Sequence, residues 1–95
     1  MVIKYPNYRD ELVELGRQDQ KEIRNHYQKL KSLTSDKARE TLNQKLKEHC
    51  HIRAERMMQI LKIIKEPSIS NIGIEGSEMV SVLALHSYYD EMKKV

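Results

Sequence analysis

The sequence has no tryptophan and no phenylalanine, and its aromatic residues are five tyrosines among 95 positions. Any core must therefore be filled by leucine, isoleucine, valine and methionine. Three glycines and two prolines are too few for the many tight turns of a β-sandwich or a β-barrel. The chain also lacks the length for a second core, since domains usually run from about 50 to 250 residues. These absences predict one small domain over residues 1–95, with a thin margin of stability.

Cysteine occurs once, at Cys50, which excludes an internal disulfide and favours a reducing compartment. The N-terminal residues lack the apolar stretch of a signal peptide, and no apolar run approaches the roughly 18 residues of a membrane span. We therefore expect a cytoplasmic protein without membrane association. Neither the cysteine and histidine spacing of a zinc site nor a glycine-rich phosphate loop is present. We accordingly expect no metal, no cofactor and no catalytic residue that the sequence alone can assign.

Long runs of one charge are missing as well. The chain carries 17 basic and 14 acidic residues, a net charge of +3, and the two signs are interleaved. The basic excess lies in residues 1–66, whereas residues 67–95 contain two basic and four acidic residues. Such interleaving is typical of solvated helix faces rather than of a dedicated nucleic-acid surface.

Apolar residues recur at helical spacing in three segments, which predicts an all-α fold, a small bundle of three helices. The first helix covers about residues 8–32, with Asn7 as its N-cap. The second is long, covers about residues 35–66 and stops before Pro67.

The third helix covers about residues 77–94 and begins at Gly76 or Ser77. Its apolar residues point in almost every direction, so we expect it to be the central helix, covered on all sides. Residues 67–76 combine small polar residues and helix breakers with three isoleucines, which predicts an ordered loop held against the core. A phosphate at the helix start near Gly76 and Ser77 would face two nearby glutamates, which disfavour an anion.

Polar residues on apolar helix faces are the candidate site. Asp19 and Gly16 interrupt the apolar stripe of the first helix, and Gly16 predicts the close approach of another element. A carboxylate facing a core needs a partner, and the second helix offers His49, Arg53 and Arg56 on its apolar arc.

His86 lies on the apolar third helix and could donate a hydrogen bond to Asp19 or to a loop carbonyl. Three interpretations of this cluster stay open: an ion pair of Asp19 with an arginine, a binding or catalytic site, and simple exposure. His49 and His51 diverge by about 200° on a helix and therefore cannot share a metal ion.

Two stretches of the chain resemble a known family. ELVELGRQDQKEIR, with the pair Asp19 and Gln20, and IGIEGSEMVSVLALHS, with Gly73, Gly76 and His86, are similar to the bacterial domain of unknown function 6624. The resemblance implies a helical fold and a set of shared positions, but no activity.

The chain departs from the pattern of that family beside His86. Leu85 and Tyr88 stand where the family usually has glutamine and aspartate. Family members also tend to continue into a second helical half, so a site shared between two halves would be incomplete in residues 1–95.

Three functional hypotheses follow from the sequence. The first is a non-enzymatic interaction or regulatory module that binds a protein partner or forms a homodimer, because a thin core leaves apolar surface to cover. The second is a ligand-binding or hydrolytic site that uses Asp19 and His86, with Arg53 or Arg56 holding an anion. The third is a weak basic nucleic-acid binder that uses lysines on the outer face of the middle helix, namely Lys37, Lys45, Lys47, Lys62 and Lys65.

Overall fold

The fold is a bundle of three α-helices, as the sequence predicts. A computed structural model describes the backbone of residues 2–92 and the side chains of residues 2–86. Helix α1 spans Pro6–Ser32, α2 spans Asp36–Ile64 and α3 spans Ile69–Met92, and the described residues contain no strand. Each helix packs against the other two.

The starts of α1 and α2 follow from local sequence. Pro6 occupies the first turn of α1, where its fixed φ suits a helix and its missing N–H leaves no hydrogen bond unmade. Tyr5 therefore precedes the helix without a side-chain cap, and the predicted cap at Asn7 is wrong. At the start of α2, Ser35 Oγ accepts a hydrogen bond from the backbone N–H of Ala38 at 3.4 Å.

The third helix begins earlier than the sequence predicts, because part of the predicted loop over residues 67–76 is helical. The carbonyl of Ser68 accepts hydrogen bonds from the N–H groups of Asn71 and Ile72, so a helical turn starts at Ile69. Gly73 then has φ 72° and ψ 175°, a conformation that essentially only glycine adopts, and it kinks the chain. The predicted start at Gly76 or Ser77 therefore lies inside α3 rather than at its N-terminus.

The segment before α1 is hydrogen-bonded to the connection between α2 and α3, which we call the joint. The N–H groups of Lys4 and Tyr5 donate to the carbonyls of Ser70 and Asn71 at 3.0 and 2.8 Å. The Asn71 side chain donates to the carbonyls of Ile64 and Glu66 at the end of α2. These hydrogen bonds connect the segment before α1, the end of α2 and the start of α3 at this end of the bundle.

The core lies at the same end of the bundle, where all three helices are present. Its buried apolar residues are Leu12, Met57, Ile60, Ile64, Ile72, Val80 and Leu83, and the chain measures 51 × 25 × 15 Å overall. α1 and α3 approach closely at Gly16, because a Cβ built on Gly16 would lie 2.9 Å from Cβ of Met79. The close approach expected from the glycine in the middle of α1 is therefore present, and its partner is α3.

α3 is not covered on every side, contrary to the expectation from its apolar composition. Ile74 and Leu85 are 61% and 62% exposed. Tyr27 of α1 and Ile63 of α2 are also about half exposed. Two neighbouring helices reach only part of the surface of α3, so it lies beside the α1–α2 pair rather than between the two helices. The side chains of Tyr88, Tyr89 and Met92, also expected to be covered, lie outside the described ones.

None of the helices within residues 2–92 combines the length and the apolar character that crossing a membrane would require.

Candidate functional site

Asp19 is the centre of a buried polar cluster. It projects from α1 and is 1% exposed. Its Oδ1 accepts a hydrogen bond from Nε of Arg53 on α2 at 2.9 Å, and Nη2 of the same guanidinium lies 2.8 Å away in an ion pair. Cys50 Sγ also donates to this oxygen at 3.5 Å. Of the two arginines that the sequence offers to Asp19, the structure therefore places Arg53 against it.

His86 brings α3 into the same cluster. Its Nδ1 contacts Oδ2 of Asp19. An ionised carboxylate can only accept, so Nδ1 carries the proton and Asp19 determines the orientation of the imidazole. Nε2 is then the remaining ring nitrogen, and it has no hydrogen bond to any of the side chains in residues 2–86. The His86 side chain is 29% exposed, so one edge of the ring is within reach of solvent.

The cluster extends along the α1–α2 contact through Glu22. Arg53 Nη2 donates to Glu22 Oε1 at 2.7 Å, and Nδ1 of His49 contacts Oε2. Burial opposes the charge on Glu22, but the hydrogen bonds from His49 and Arg53 outweigh it and lower the pKa of Glu22. Burial likewise opposes the charge on Arg53, yet its bonds to Glu22 and Asp19 raise its pKa above the ordinary value. One network of charge-assisted hydrogen bonds therefore joins Asp19, Arg53, Glu22 and His49.

Arg56 and Gln20 lie outside this cluster, although the sequence groups both with Asp19. Arg56 pairs with Glu11 through two hydrogen bonds, one of them 2.9 Å long from Nη2 to Oε1, and lowers the pKa of Glu11. Gln20 is exposed, since it follows Asp19 directly and points away from the apolar stripe. In the hypothesis of a ligand-binding or hydrolytic site, Arg53 therefore remains a candidate for holding an anion, and Arg56 does not.

Cys50 acts in the cluster as a hydrogen-bond donor rather than as a nucleophile. Burial, and secondarily the negative charge of Asp19, raises the pKa of its thiol to about 11. The thiolate, which is the reactive form of cysteine, is therefore scarce near neutral pH.

A groove of about 660 Å³ opens beside His86, between the C-terminal half of α1, the N-terminal half of α2 and the C-terminal part of α3. We name it the His86 groove. Its wall includes Ile23, Tyr27, Leu46, Cys50, Leu85 and His86. Apolar atoms make up most of its exposed surface, although Glu40, Asn43, Gln44 and Lys47 also line it. His86 provides a polar atom that the buried Asp19 has already oriented.

A second groove, of about 500 Å³, follows the α1–α2 contact. We name it the lysine groove, and its wall includes Lys21, Asn25, Lys29, Lys45, Leu46 and His49. Sequence reasoning missed both grooves, because their volumes depend on how far apart the helices pack.

His26 lies in the wall of both grooves and was also missed. It is 7% exposed, and its Nδ1 is the one buried side-chain nitrogen or oxygen without a hydrogen-bond partner in the described part of the chain. A signal existed, since His26 follows Asp19 by seven residues and Ile23 by three, and so belongs to the buried stripe of α1.

The remaining histidines do not form a metal site. His51 pairs with Glu55 on the exposed side of α2, at 3.0 Å, whereas His49 faces Glu22. Within the described residues, no three side chains of histidine, cysteine, aspartate or glutamate are placed to hold a metal ion together.

The loop and cap residues of the prediction lie at the other end of α3. Gly73 faces Ile3, Gly76 is buried against Ile72 and Arg9, and Ser77 accepts a hydrogen bond from Ser81 through its carbonyl. The contacts of Gly73 and Gly76 belong to the joint between α2 and α3, and the Ser77–Ser81 hydrogen bond lies within α3.

Comparison with known proteins leaves the geometry as the basis for function: no protein-family model, no curated protein and no solved structure matches the chain.

Proposed function

We propose that the chain is a ligand-binding protein, that its site is the His86 groove, and that His86 is the group that recognises the ligand. The observation that carries this proposal is the contact between His86 Nδ1 and Asp19, which is 1% exposed. A buried carboxylate behind an imidazole selects one tautomer and directs the other nitrogen outward. Nε2 is then ready to accept a hydrogen bond without further ordering of the ring.

A purely structural role would not require this arrangement. Arg53 alone gives Asp19 a hydrogen bond and an ion pair, and Cys50 adds a second hydrogen bond. The buried charge therefore has partners before α3 contributes anything. His86 adds to them a ring that is still 29% exposed and forms part of a groove wall.

The chemistry of the groove indicates the kind of ligand. Its walls expose more apolar than polar surface, and Leu85 and Tyr27 are each more than half exposed there. The neutral Nε2 of an oriented imidazole accepts a hydrogen bond. A small, partly apolar molecule that carries a hydroxyl group would satisfy both features.

Membership of the family known as domain of unknown function 6624 is likewise a proposal, and the geometry gives it support. The two stretches that carry the resemblance are 67 residues apart at Asp19 and His86, yet these two side chains are in contact. Gly16 and Met79 of the same stretches also pack against each other. Positions that a family shares would meet in this way if they formed a common site.

Binding of p-cresol tests the function, because it combines an apolar ring with a neutral hydroxyl donor. We expect the ring signals of His86 to shift in NMR spectra, with a Kd of about 1 mM, a typical affinity for so small a ligand. Replacing His86 by phenylalanine keeps an aromatic ring at this position but removes Nε2. It should weaken binding about tenfold through the lost hydrogen bond. Leu85→Ala should also weaken binding, and Leu85 is too exposed to be needed for folding.

His51→Phe is the matched control, since His51 is exposed on the opposite side of α2 and pairs only with Glu55. It should bind p-cresol as the unaltered chain does. The proposal fails if His86 shows no shift at millimolar p-cresol, or if His86→Phe and His51→Phe bind equally well.

The interaction module stays a prediction, and the exposed apolar residues bear on it. Ile52, Met58 and Ile63 of α2 are 61%, 51% and 49% exposed. If these side chains are covered by a second copy, light scattering should give the mass of a dimer at micromolar concentration. A monomer over the whole range from about 1 to 100 μM would contradict self-association.

The nucleic-acid hypothesis also stays a prediction, but its five lysines do not form one face. Lys45 lies in the lysine groove, Lys47 lies in the His86 groove, and Lys65 lies beyond the end of α2. Lys45 and Lys47 therefore line two different grooves rather than one shared outer face.

A further inference from the structure

The lysine groove carries positive charge that its own acidic residue does not neutralise. Lys21, Lys29 and Lys45 line it, and none of them lies within 4 Å of a carboxylate in the described part of the chain. Glu22 is the acidic residue in the wall, and it already contacts His49 and Arg53. An anion that entered the groove would meet three lysines without displacing an internal ion pair.

Two matching rows of side chains build the groove. Gln18, Lys21, Asn25 and Lys29 of α1 recur every three or four residues, so they lie along one side of that helix. On α2 the corresponding row is Leu42, Lys45, His49 and Arg53. The two helices run antiparallel and bring these rows face to face. Hydrogen-bond donors therefore face the groove from both walls, with leucines at its base.

The spacing of the lysines indicates an extended anion. Lys21 and Lys29 are eight residues apart, which is about 12 Å along a helix axis. Lys45 comes from the facing helix. A single phosphate is too short to engage all three ammonium groups at once. A chain of two or three linked phosphates is longer, and the flexible lysine side chains bring their ammonium groups within reach of it.

His26 is a second, independent observation that points to a ligand in this groove. Its ring is 7% exposed and lines the groove, and its buried Nδ1 makes no hydrogen bond. An unsatisfied buried polar atom costs about 1–3 kcal/mol, and such atoms are uncommon in folded proteins. A ligand in the groove would change the surroundings of the His26 ring, so binding should be visible at His26.

We propose that the lysine groove is a binding site for a small molecule with two or more linked phosphate groups, held by Lys21, Lys29 and Lys45. The site is separate from the His86 groove and does not depend on the function proposed for it. The linked phosphates are the shared chemistry of inorganic polyphosphates and of nucleoside di- and triphosphates. Leu42 and Leu46 would contact any apolar part of such a ligand.

A nucleic acid fits the groove less well than a small phosphate ester. Proteins that bind nucleic acids through the backbone commonly use about 6–10 phosphate contacts, whereas three lysines are available here.

Titration with sodium tripolyphosphate, followed by NMR, tests the site. We expect saturable binding that weakens as salt is raised, because the lysines are exposed. The His26 ring signals should shift and those of His51 should not. Replacing Lys21, Lys29 and Lys45 together by glutamine should weaken binding at least tenfold. All three side chains are on the surface, so the variant should fold, which circular dichroism checks.

The matched control replaces Lys31, Lys37 and Lys62 by glutamine, which removes the same charge from exposed positions outside both grooves. It should change the Kd by less than about threefold. ATP is the second probe: an affinity above that of tripolyphosphate assigns the site to nucleotides, and an equal affinity assigns it to the phosphates alone.

Three results would overturn the proposal. One is an equal loss of binding in the two triple variants, which would indicate attraction by overall charge. Another is the absence of saturable binding by either probe. The last is a single-stranded oligonucleotide that binds more tightly than both probes and loses affinity in the control triple variant. A lost response to p-cresol at His86 would not affect this site, so failure of one proposal is distinguishable from failure of the other.

Discussion

Replacing Asp19 by alanine is expected to lower the free energy of unfolding by about 3–5 kcal/mol, the usual cost of removing one partner from a buried ion pair. Asp19 accepts a hydrogen bond from Arg53, forms an ion pair with it and contacts His86, so its loss leaves a buried guanidinium with Glu22 as its remaining carboxylate. Small domains have total stabilities of about 5–15 kcal/mol, which makes this a large fraction. Urea denaturation followed by circular dichroism measures the loss, and the melting temperature should fall by roughly 15–30 °C.

Glu14→Ala is the control for this experiment. Glu14 lies on the same helix, is exposed, and accepts one hydrogen bond from Gln18. Its replacement should change stability by less than about 0.5 kcal/mol. A comparable loss in Asp19→Ala and Glu14→Ala would show that the buried cluster does not hold the helices together.

A double variant separates the ion pair from other effects of the substitution. Arg53→Met removes the buried charge that Asp19→Ala leaves without its partner, so the two changes should not be additive. We expect the double variant to be at least about 1 kcal/mol more stable than the sum of the single effects predicts. Additive losses would mean that Asp19 and Arg53 are not coupled, in disagreement with their 2.8 Å contact.

Part of this cluster is predictable from sequence, and part is not. Helical spacing alone places Asp19 among apolar residues, and a buried carboxylate needs a partner of opposite charge. The choice between Arg53 and Arg56 depends on the relative rotation of α1 and α2, which periodicity does not determine. Glu11 was the missing competitor, since it pairs with Arg56 and leaves Arg53 to Asp19.

The start of α3 was mispredicted for a related reason. Small polar residues and a glycine are typical of a loop, but they are equally compatible with a capped helical turn followed by a kink. Ser68 provides the cap, and Gly73 takes the conformation that breaks the helix. Deciding between these alternatives requires the contacts of Lys4 and Tyr5 with this joint, and those residues lie more than 60 positions away in the sequence.

Replacing Gly16 by valine is expected to destabilise the fold by about 2–3 kcal/mol, because the new side chain would need space that Met79 already occupies. A Cβ on Gly16 would lie 2.7 Å from Cγ and 2.9 Å from Cβ of Met79. The thioether end of Met79 can move aside, but its Cβ moves only with the backbone of α3. Overpacking of this kind usually costs about 1–3 kcal/mol, and the better helix propensity of valine returns only a few tenths.

A compensating change shows whether the collision is the cause. Met79→Ala removes Cγ and Sδ but keeps Cβ, so Gly16→Val with Met79→Ala should recover only part of the stability that Gly16→Val loses. Met79→Ala by itself loses packing. Gln20→Val, at an exposed position of α1, is the control and should cost about 0.5 kcal/mol or less. If Gly16→Val is as stable as Gln20→Val, then α1 and α3 do not approach closely at this point. Because Asp19 lies one turn beyond Gly16, its contact with His86 would then also lose its geometric basis, and the His86 groove with it.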